Sequence, residues 1–482
     1  MNRPWSPRRS RSGKDTGRPA PETWASQWRE RSGAGSDRSL LGQGWVRLTA
    51  TVVALGAAAA LWLTGGGTGR APGRGTVSGE PGREPEAGVQ SATRNTPDRL
   101  GFDVAAPAAI LIDGDTGQVL FEKNADMPVH PASIVKIMTM LVTMDAVKRG
   151  HVSLNDPVRI SRAAEAMGGS QVYLVAGETW RLEQLMEALA IASANDAAVA
   201  IAEHVAGTEA AFVELMNRRA QELGMRDTRF TNSHGLPPEQ GEDPNITTAR
   251  DIAIMSKALV SEHPEVLTWT SIREKVFREQ PRFVMFNTNR LVGTVEGVDG
   301  LKTGHTADAG FSLAATASRD GRRLIAALMK MDSDQTRVDQ ASRLLEFGFR
   351  AYRPVVVALA DEKVGELRLR SGQPEAVPVR ATRTLHVLTL GGDPKGVSRR
   401  LVFRDNVAPP ITKGQQVGWV VAELDGREVA RVPVSAGASV RPVSGATRLW
   451  RWLRDVVGVV IPGSAIRGVT AVPIASQGGH GG

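Results

Sequence analysis

Hydrophobic positions along this chain recur with two different periods, and the places where the period changes divide it into segments. Ala108-Ala109-Ile110-Leu111-Ile112, a polar Asp113-Gly114-Asp115-Thr116-Gly117 turn and Val119-Leu120-Phe121 predict a β-hairpin at the start of the globular sequence. Ile134, Ile137, Met138, Leu141 and Val142 then fall at core-facing helical spacing, with Gly150 as the stop. Further helices are predicted over residues 182–191, 197–204 before Gly207, and 212–223 before Gly224. Strand patterning returns at 311–317 and 324–329 around an Arg319-Asp320-Gly321 turn, and a helix over 341–347 follows. Strands therefore bracket a helical insert. Beyond Pro354 the pattern becomes short Val- and Leu-rich alternations, such as Thr384-Leu385-His386-Val387, 417–424 and, after Asp425-Gly426, 429–434. That texture predicts a separate β domain.

The same patterning sets the outer boundaries. Residues 1–47 form a basic tail, with Arg or Lys at 3, 8, 9, 11, 14, 18, 29, 31, 38 and 47 against acids at 15, 22, 30 and 37. Residues 48–69 carry no charge and are apolar enough for a transmembrane segment or a signal core; anchor and cleaved signal both remain open, and either places the bulk of the chain outside the cytoplasm. Residues 70–98, rich in Gly and Pro, read as a flexible linker. The globular part then divides into 99–352 and a β domain over 353–441, with 442–482 as an appendage. There, on a 100° wheel, Leu449, Trp450, Trp452, Leu453, Val456, Val457, Val459 and Val460 fill one half and Arg448, Arg451, Arg454 and Asp455 the other, until Pro462. This predicts an amphipathic helix for a membrane interface, with packing on the β domain as the alternative, and a Gly-rich tail behind it.

Composition narrows the chemistry. At 482 residues two cores are expected. The net charge of +8 comes largely from the leader, so it argues for a membrane surface rather than nucleic acid. Cysteine is absent, which excludes disulfides, thiol nucleophiles and cysteine metal sites. With 8 histidines and no His-Glu-x-x-His, a zinc peptidase is disfavoured and no cofactor is expected.

Against that background one motif stands out. Ser133 and Lys136, in Pro131-Ala132-Ser133-Ile134-Val135-Lys136, form a Ser-x-x-Lys, and three residues along a helix bring an amine within reach of a hydroxyl. Alone this reads better as a helix cap followed by a surface lysine, and only its context reverses the reading. As a base Lys136 must be largely neutral, which burial or a neighbouring cation would achieve, and Lys302 can be that cation. Ser193-Ala194-Asn195 lies at the end of the 182–191 helix, where a hydroxyl can relay protons and an amide can hold a carbonyl, although Asn195-Asp196 is also an ordinary cap pair. Ser153-Leu154-Asn155 fits the same short pattern but sits in a solvated turn. Lys302-Thr303-Gly304-His305-Thr306 precedes the 311–317 strand; a strand edge with Gly permits close backbone approach, and Lys with Thr suits a carboxylate. Ser-x-x-Lys, a Ser-x-Asn element and Lys-Thr-Gly in this order mark serine acyl transfer.

Asn124-Ala125-Asp126, residues 131–139, Ser193-Ala194-Asn195-Asp196-Ala197-Ala198, Leu223-Gly224-Met225, Asn232-Ser233-His234-Gly235-Leu236 and residues 299–306 extend the likeness over roughly residues 107–352. The chain resembles the D-alanyl-D-alanine carboxypeptidases, low-molecular-mass penicillin-binding proteins of the serine peptidase S11 type. The resemblance implies an α/β fold with a β-lactamase/transpeptidase-like catalytic domain, an antiparallel sheet flanked by helices plus a helical subdomain, followed by a small all-β sandwich domain. It implies that Ser133 is acylated, Lys136 is its base and Ser193 relays the proton to the leaving group. Asn195 would orient the substrate, and Lys302, Thr303 and Arg337 would bind its terminal carboxylate, though Arg337 also reads as a solvated helix charge. Backbone N–H groups of Ser133 and His305 would form the oxyanion hole, with Gly304 between them and the clamp. Peptidoglycan stem peptides are then the expected substrates and β-lactams covalent inhibitors, on the outer face of the cytoplasmic membrane. A deacylating carboxylate of the class A β-lactamase kind is not recognisable.

Overall fold

A computed structural model describes residues 101–238, 243–447 and 472–473. Strands β1 (Ala108–Asp113) and β2 (Val119–Lys123) form the expected hairpin. The chain then leaves the sheet for a helical region. A 3₁₀ turn, Ala132–Val135, leads into α1 (Lys136–Lys148), and α2 (Leu182–Ile191), α3 (Asn195–Ala206), α4 (Glu209–Glu222) and α5 (Ala249–Glu262) follow. It returns as β3 (Val298–Thr306), β4 (Gly310–Arg319) and β5 (Arg322–Met331), and α6 (Asp334–Ala351) closes this region.

The five strands form one antiparallel sheet in the order β2-β1-β5-β4-β3. Two of its strands thus precede the helical insert and three follow it. The inner segments of β4 and β5 are buried without alternation, because helices cover both faces of the sheet, and α5 and α6 both pack on β5. β3 is left at the edge. One core, with Leu111, Phe121, Leu313, Leu324, Leu328, Leu344 and Phe349 among its members, joins the sheet to α6.

Two helices depart furthest from their sequence expectation. α6 starts seven residues before 341, because Ser333 accepts a hydrogen bond from the Thr336 amide and caps a polar first turn that carries no periodic signal. α5, not anticipated, is capped in the same way by Thr248, which accepts from the Asp251 amide at 3.1 Å.

Directly after α6 come β6 (Tyr352–Ala358), β7 (Lys363–Arg368), β8 (Ala376–Ala381), β9 (Leu385–Leu390), β10 (Val397–Phe403), β11 (Gln416–Leu424) and β12 (Arg427–Ala436). β6 pairs with β9, while β7-β8-β12-β11-β10 run side by side in a larger sheet that the short strand Val472–Pro473 extends. β9 packs on β11 and β12 around a separate core that includes Val379, Val387, Val417, Val420, Val432 and Val434. The leader, the 48–69 segment, the linker up to residue 98 and the amphipathic helix beyond Thr447 lie outside the described residues. Among the described residues, no helix is long and apolar enough to cross a membrane.

Candidate active site

Ser133 does not begin an α-helix. It sits in the 3₁₀ turn before α1, entered through Ala132 at φ 47°. In a 3₁₀ turn residues three apart eclipse one another, so Ser133 and Lys136 are stacked more directly than on an α-helix. Lys136 Nζ accordingly donates to Ser133 Oγ at 3.0 Å. It also donates to Asn195 Oδ1 at 2.7 Å and to the carbonyl of His234. The amine thus has three oxygen partners and no carboxylate among them.

Lys136 is 0 % exposed and Lys302 1 %, and that burial dominates their chemistry. Removal from water pushes the Lys136 amine well below its ordinary value, and the neighbouring Lys302 charge pushes it further, with only Asp196 pulling the other way. Lys302 is itself lowered to about 7, by burial first and by Arg337 second. A neutral Lys136 beside a hydroxyl can take its proton.

Two glycines fix the walls. A Cβ on Gly304 would lie 2.6 Å from the Pro131 carbonyl oxygen, so the β3 edge and the serine turn are in backbone contact there. Opposite it, Gly235 holds φ 84°, and a Cβ would come 2.0 Å from the Ala132 carbonyl oxygen and 2.9 Å from the Ser133 amide nitrogen. The turn is gripped from both sides by backbone. Among the described residues, β3 is the edge strand and has no strand neighbour on its outer side.

Along that edge, Lys302 Nζ donates to the Thr303 carbonyl at 2.9 Å and Thr303 Oγ1 to Thr288 Oγ1 at 2.7 Å. Arg337, in the first turn of α6, is 6 % exposed and is not the solvated charge the sequence allowed. It donates to the Ser312 carbonyl on β4 and pairs with Asp334. Its Nε is buried without a hydrogen-bond partner, and its guanidinium lies over the Phe311 ring that His305 stacks on. Arg337 is close enough to Lys302 to disfavour its charge, as Lys302 is to Lys136.

Ser193 is buried at φ 62° in the turn between α2 and α3, two residues before Asn195. Among the described residues its hydroxyl makes no hydrogen bond to Ser133, Lys136 or Lys302; Asn195 is the member of that motif that reaches the lysine. The Asn195 amide also donates to the Gly168 carbonyl at 2.7 Å. Asp196, a bystander in the sequence reading, accepts from the backbone amides of Val172 and Leu174 and ties the 168–174 loop to the start of α3. Ser153-Leu154-Asn155 forms a surface turn, as expected. The His234 carbonyl and Gly235 were missed as site elements, because a carbonyl has no side-chain signature; the left-handed Gly235 was the signal available.

Comparison with known proteins agrees with this architecture. The family model for D-alanyl-D-alanine carboxypeptidase, peptidase S11, matches residues 91–333, and that for the penicillin-binding protein 5 C-terminal domain matches 352–441. The D-alanyl-D-alanine carboxypeptidase DacF of Bacillus subtilis is 36 % identical over 73 % of this chain and 90 % of its own length. DacC of Escherichia coli is 34 % identical over 72 % and 87 %. Penicillin binding protein 5 of Haemophilus influenzae superimposes with a TM-score of 0.61 at 30 % identity, covering 70 % of this chain and 98 % of that structure.

Proposed function

The chain belongs to the peptidase S11 family of D-alanyl-D-alanine carboxypeptidases, and from that premise we propose that it removes the terminal D-alanine of peptidoglycan stem pentapeptides through an acyl-enzyme on Ser133. The observation that carries this is the buried Lys136 amine, 3.0 Å from the Ser133 hydroxyl and beside the Lys302 charge. Lys302, Thr303 and Arg337 hold the free carboxylate of the substrate, and Asn195 and the β3 edge hold its backbone. Lys136 Nζ takes the Ser133 proton as Oγ bonds to the carbonyl carbon of the penultimate D-alanine. The oxyanion points at the Ser133 and His305 amides, with Gly304 allowing the close approach. The C–N bond then breaks, and the leaving D-alanine amine collects a proton by way of Ser193. Water attacks the ester and gives a proton to the base, which passes it to Oγ as the ester C–O bond breaks, so that the Ser133 hydroxyl and the neutral amine are restored.

A β-lactam enters the same sequence but keeps its leaving amine tethered, so it stays on the serine. Fluorescent penicillin should label the wild-type chain and leave Ser133→Ala unlabelled; a labelled Ser133→Ala protein would end the assignment. On purified muropeptides the expected product is tetrapeptide plus free D-alanine. Rapid turnover of a chromogenic cephalosporin would point to a β-lactamase, and labelling without D-alanine release to a β-lactam sensor.

We further infer residence at the outer face of the cytoplasmic membrane. The support is sequence pattern: an uncharged 48–69 segment behind a basic leader, and an apolar half-wheel over 449–460. Liposome flotation should weaken when residues 446–482 are removed, and unchanged flotation would refute the C-terminal anchor.

A further inference from the structure

A second cluster of ionisable side chains lies where the two cores meet and shares no residue with the Ser133 site. Asp113 ends β1, Asp115 follows in the turn, and His386 is the second residue of β9 in the other domain. One ligand atom from each lies within 4.8 Å of the other two. Asp113 is wholly buried, and its Oδ2 accepts from the Thr116 amide and hydroxyl. Its Oδ1 has no hydrogen-bond partner. His386 Nε2 is also buried without a hydrogen bond, although it stands only 3.3 Å from Asp113 Oδ2. Stranded buried groups of this kind are expensive. Two ligand atoms on one tetrahedral cation, with bonds of about 2.0–2.1 Å, are separated by about 3.3 Å, which is the distance between His386 Nε2 and Asp113 Oδ2.

Charge argues in the same direction. Among the described residues no lysine or arginine forms an ion pair with Asp113 or Asp115: the cationic partner of Asp113 is His386 itself, and Arg323 is committed to both oxygens of Asp299. The other three-residue cluster, Asp145, Glu262 and His263, differs in kind. There the Arg219 guanidinium lies among the carboxylates, 3.0 Å from Asp145, and already supplies the positive charge.

We propose that Asp113, Asp115 and His386 bind one divalent transition-metal ion of the zinc type, which bridges the catalytic and C-terminal domains. One imidazole and two carboxylates suit Zn²⁺ better than Mg²⁺ or Ca²⁺, which favour all-oxygen shells. The exposed Asp115 side gives the ion its entry and leaves a position for water. The test is calorimetric titration of the untagged full chain with Zn²⁺ at pH 7.5, with Mg²⁺ as control, alongside thermal unfolding and the visible spectrum of the Co²⁺ form. One equivalent of Zn²⁺ should bind and raise the unfolding temperature, and His386→Gln and Asp115→Asn should each weaken binding at least about tenfold. The Asp115 variant alters an exposed side chain, so it remains informative if the His386 variant does not fold. Absence of stoichiometric Zn²⁺ binding, wild-type affinity in both variants, or an equal response to Mg²⁺ would each overturn the site.

Discussion

Lys136 shows how one residue's environment decides its chemistry. Burial and the Lys302 charge both disfavour its ammonium form, and the single opposing carboxylate, Asp196, is occupied with backbone amides. Lys136→Arg keeps a positive charge and hydrogen-bond donors but cannot give up its proton. Acylation by penicillin should therefore fall by about 10²–10⁴-fold, measured by stopped-flow or gel labelling, while the fold is retained. Lys302 supplies the pH dependence. With its free-enzyme value near 7, the clamp loses charge as pH rises through that point, so kcat/KM should decline on the alkaline side from about pH 7. A bound carboxylate favours the charged amine, so the decline in kcat should lie at higher pH, and Lys302→Arg should remove it from kcat/KM. At this scale the sequence was informative about which side chains meet: Ser133, Lys136, Asn195 and Lys302 were all singled out by short motifs, and the structure brings them together around the Lys136 amine. It was silent on the His234 carbonyl, because any residue supplies one.

Between elements, the decisive contact is backbone against backbone. β3 reaches the serine turn only because Gly304 has no side chain, and the Pro131 oxygen that a methyl would strike belongs to the main chain and cannot swing aside. Gly304→Ala should separate edge from turn and lower the acylation rate on the order of 10²-fold, with a much smaller change in unfolding temperature. A wild-type rate in that variant would show that the contact is dispensable. Strand and helix positions followed the apolar periods well from β1 to α2 and from β4 to β5. The misses, α5 and the first turn of α6, share a cause: both are announced by Thr or Ser caps followed by polar residues, and the register of an apolar stripe is weak where charged side chains interrupt it. The 3₁₀ turn at Ser133 was also illegible, since it depends on the left-handed Ala132 and on Gly235 arriving from about a hundred residues away.

Across the whole molecule, the two cores are joined by polar bonds as well as apolar packing. The buried Gln118 side chain donates to the Leu388 carbonyl and accepts from the Leu388 amide, both at 2.8 Å, mimicking a strand pairing between β2 and β9. Tyr352 donates its hydroxyl to the Leu120 carbonyl nearby. Gln118→Ala would strand both Leu388 groups at about 1–3 kcal/mol each, and denaturant unfolding should then separate into two transitions where the wild type shows one. A change of texture at Pro354 was visible in the sequence, but a joint made by one glutamine was not. The divided sheet has a further consequence. Its serine is synthesised 169 positions ahead of Lys302, and the strand that supplies the clamp has no place to dock until the last two strands exist. For most of its emergence a nascent chain thus carries the alcohol and its amine without the cationic edge strand, which joins them only in a late step.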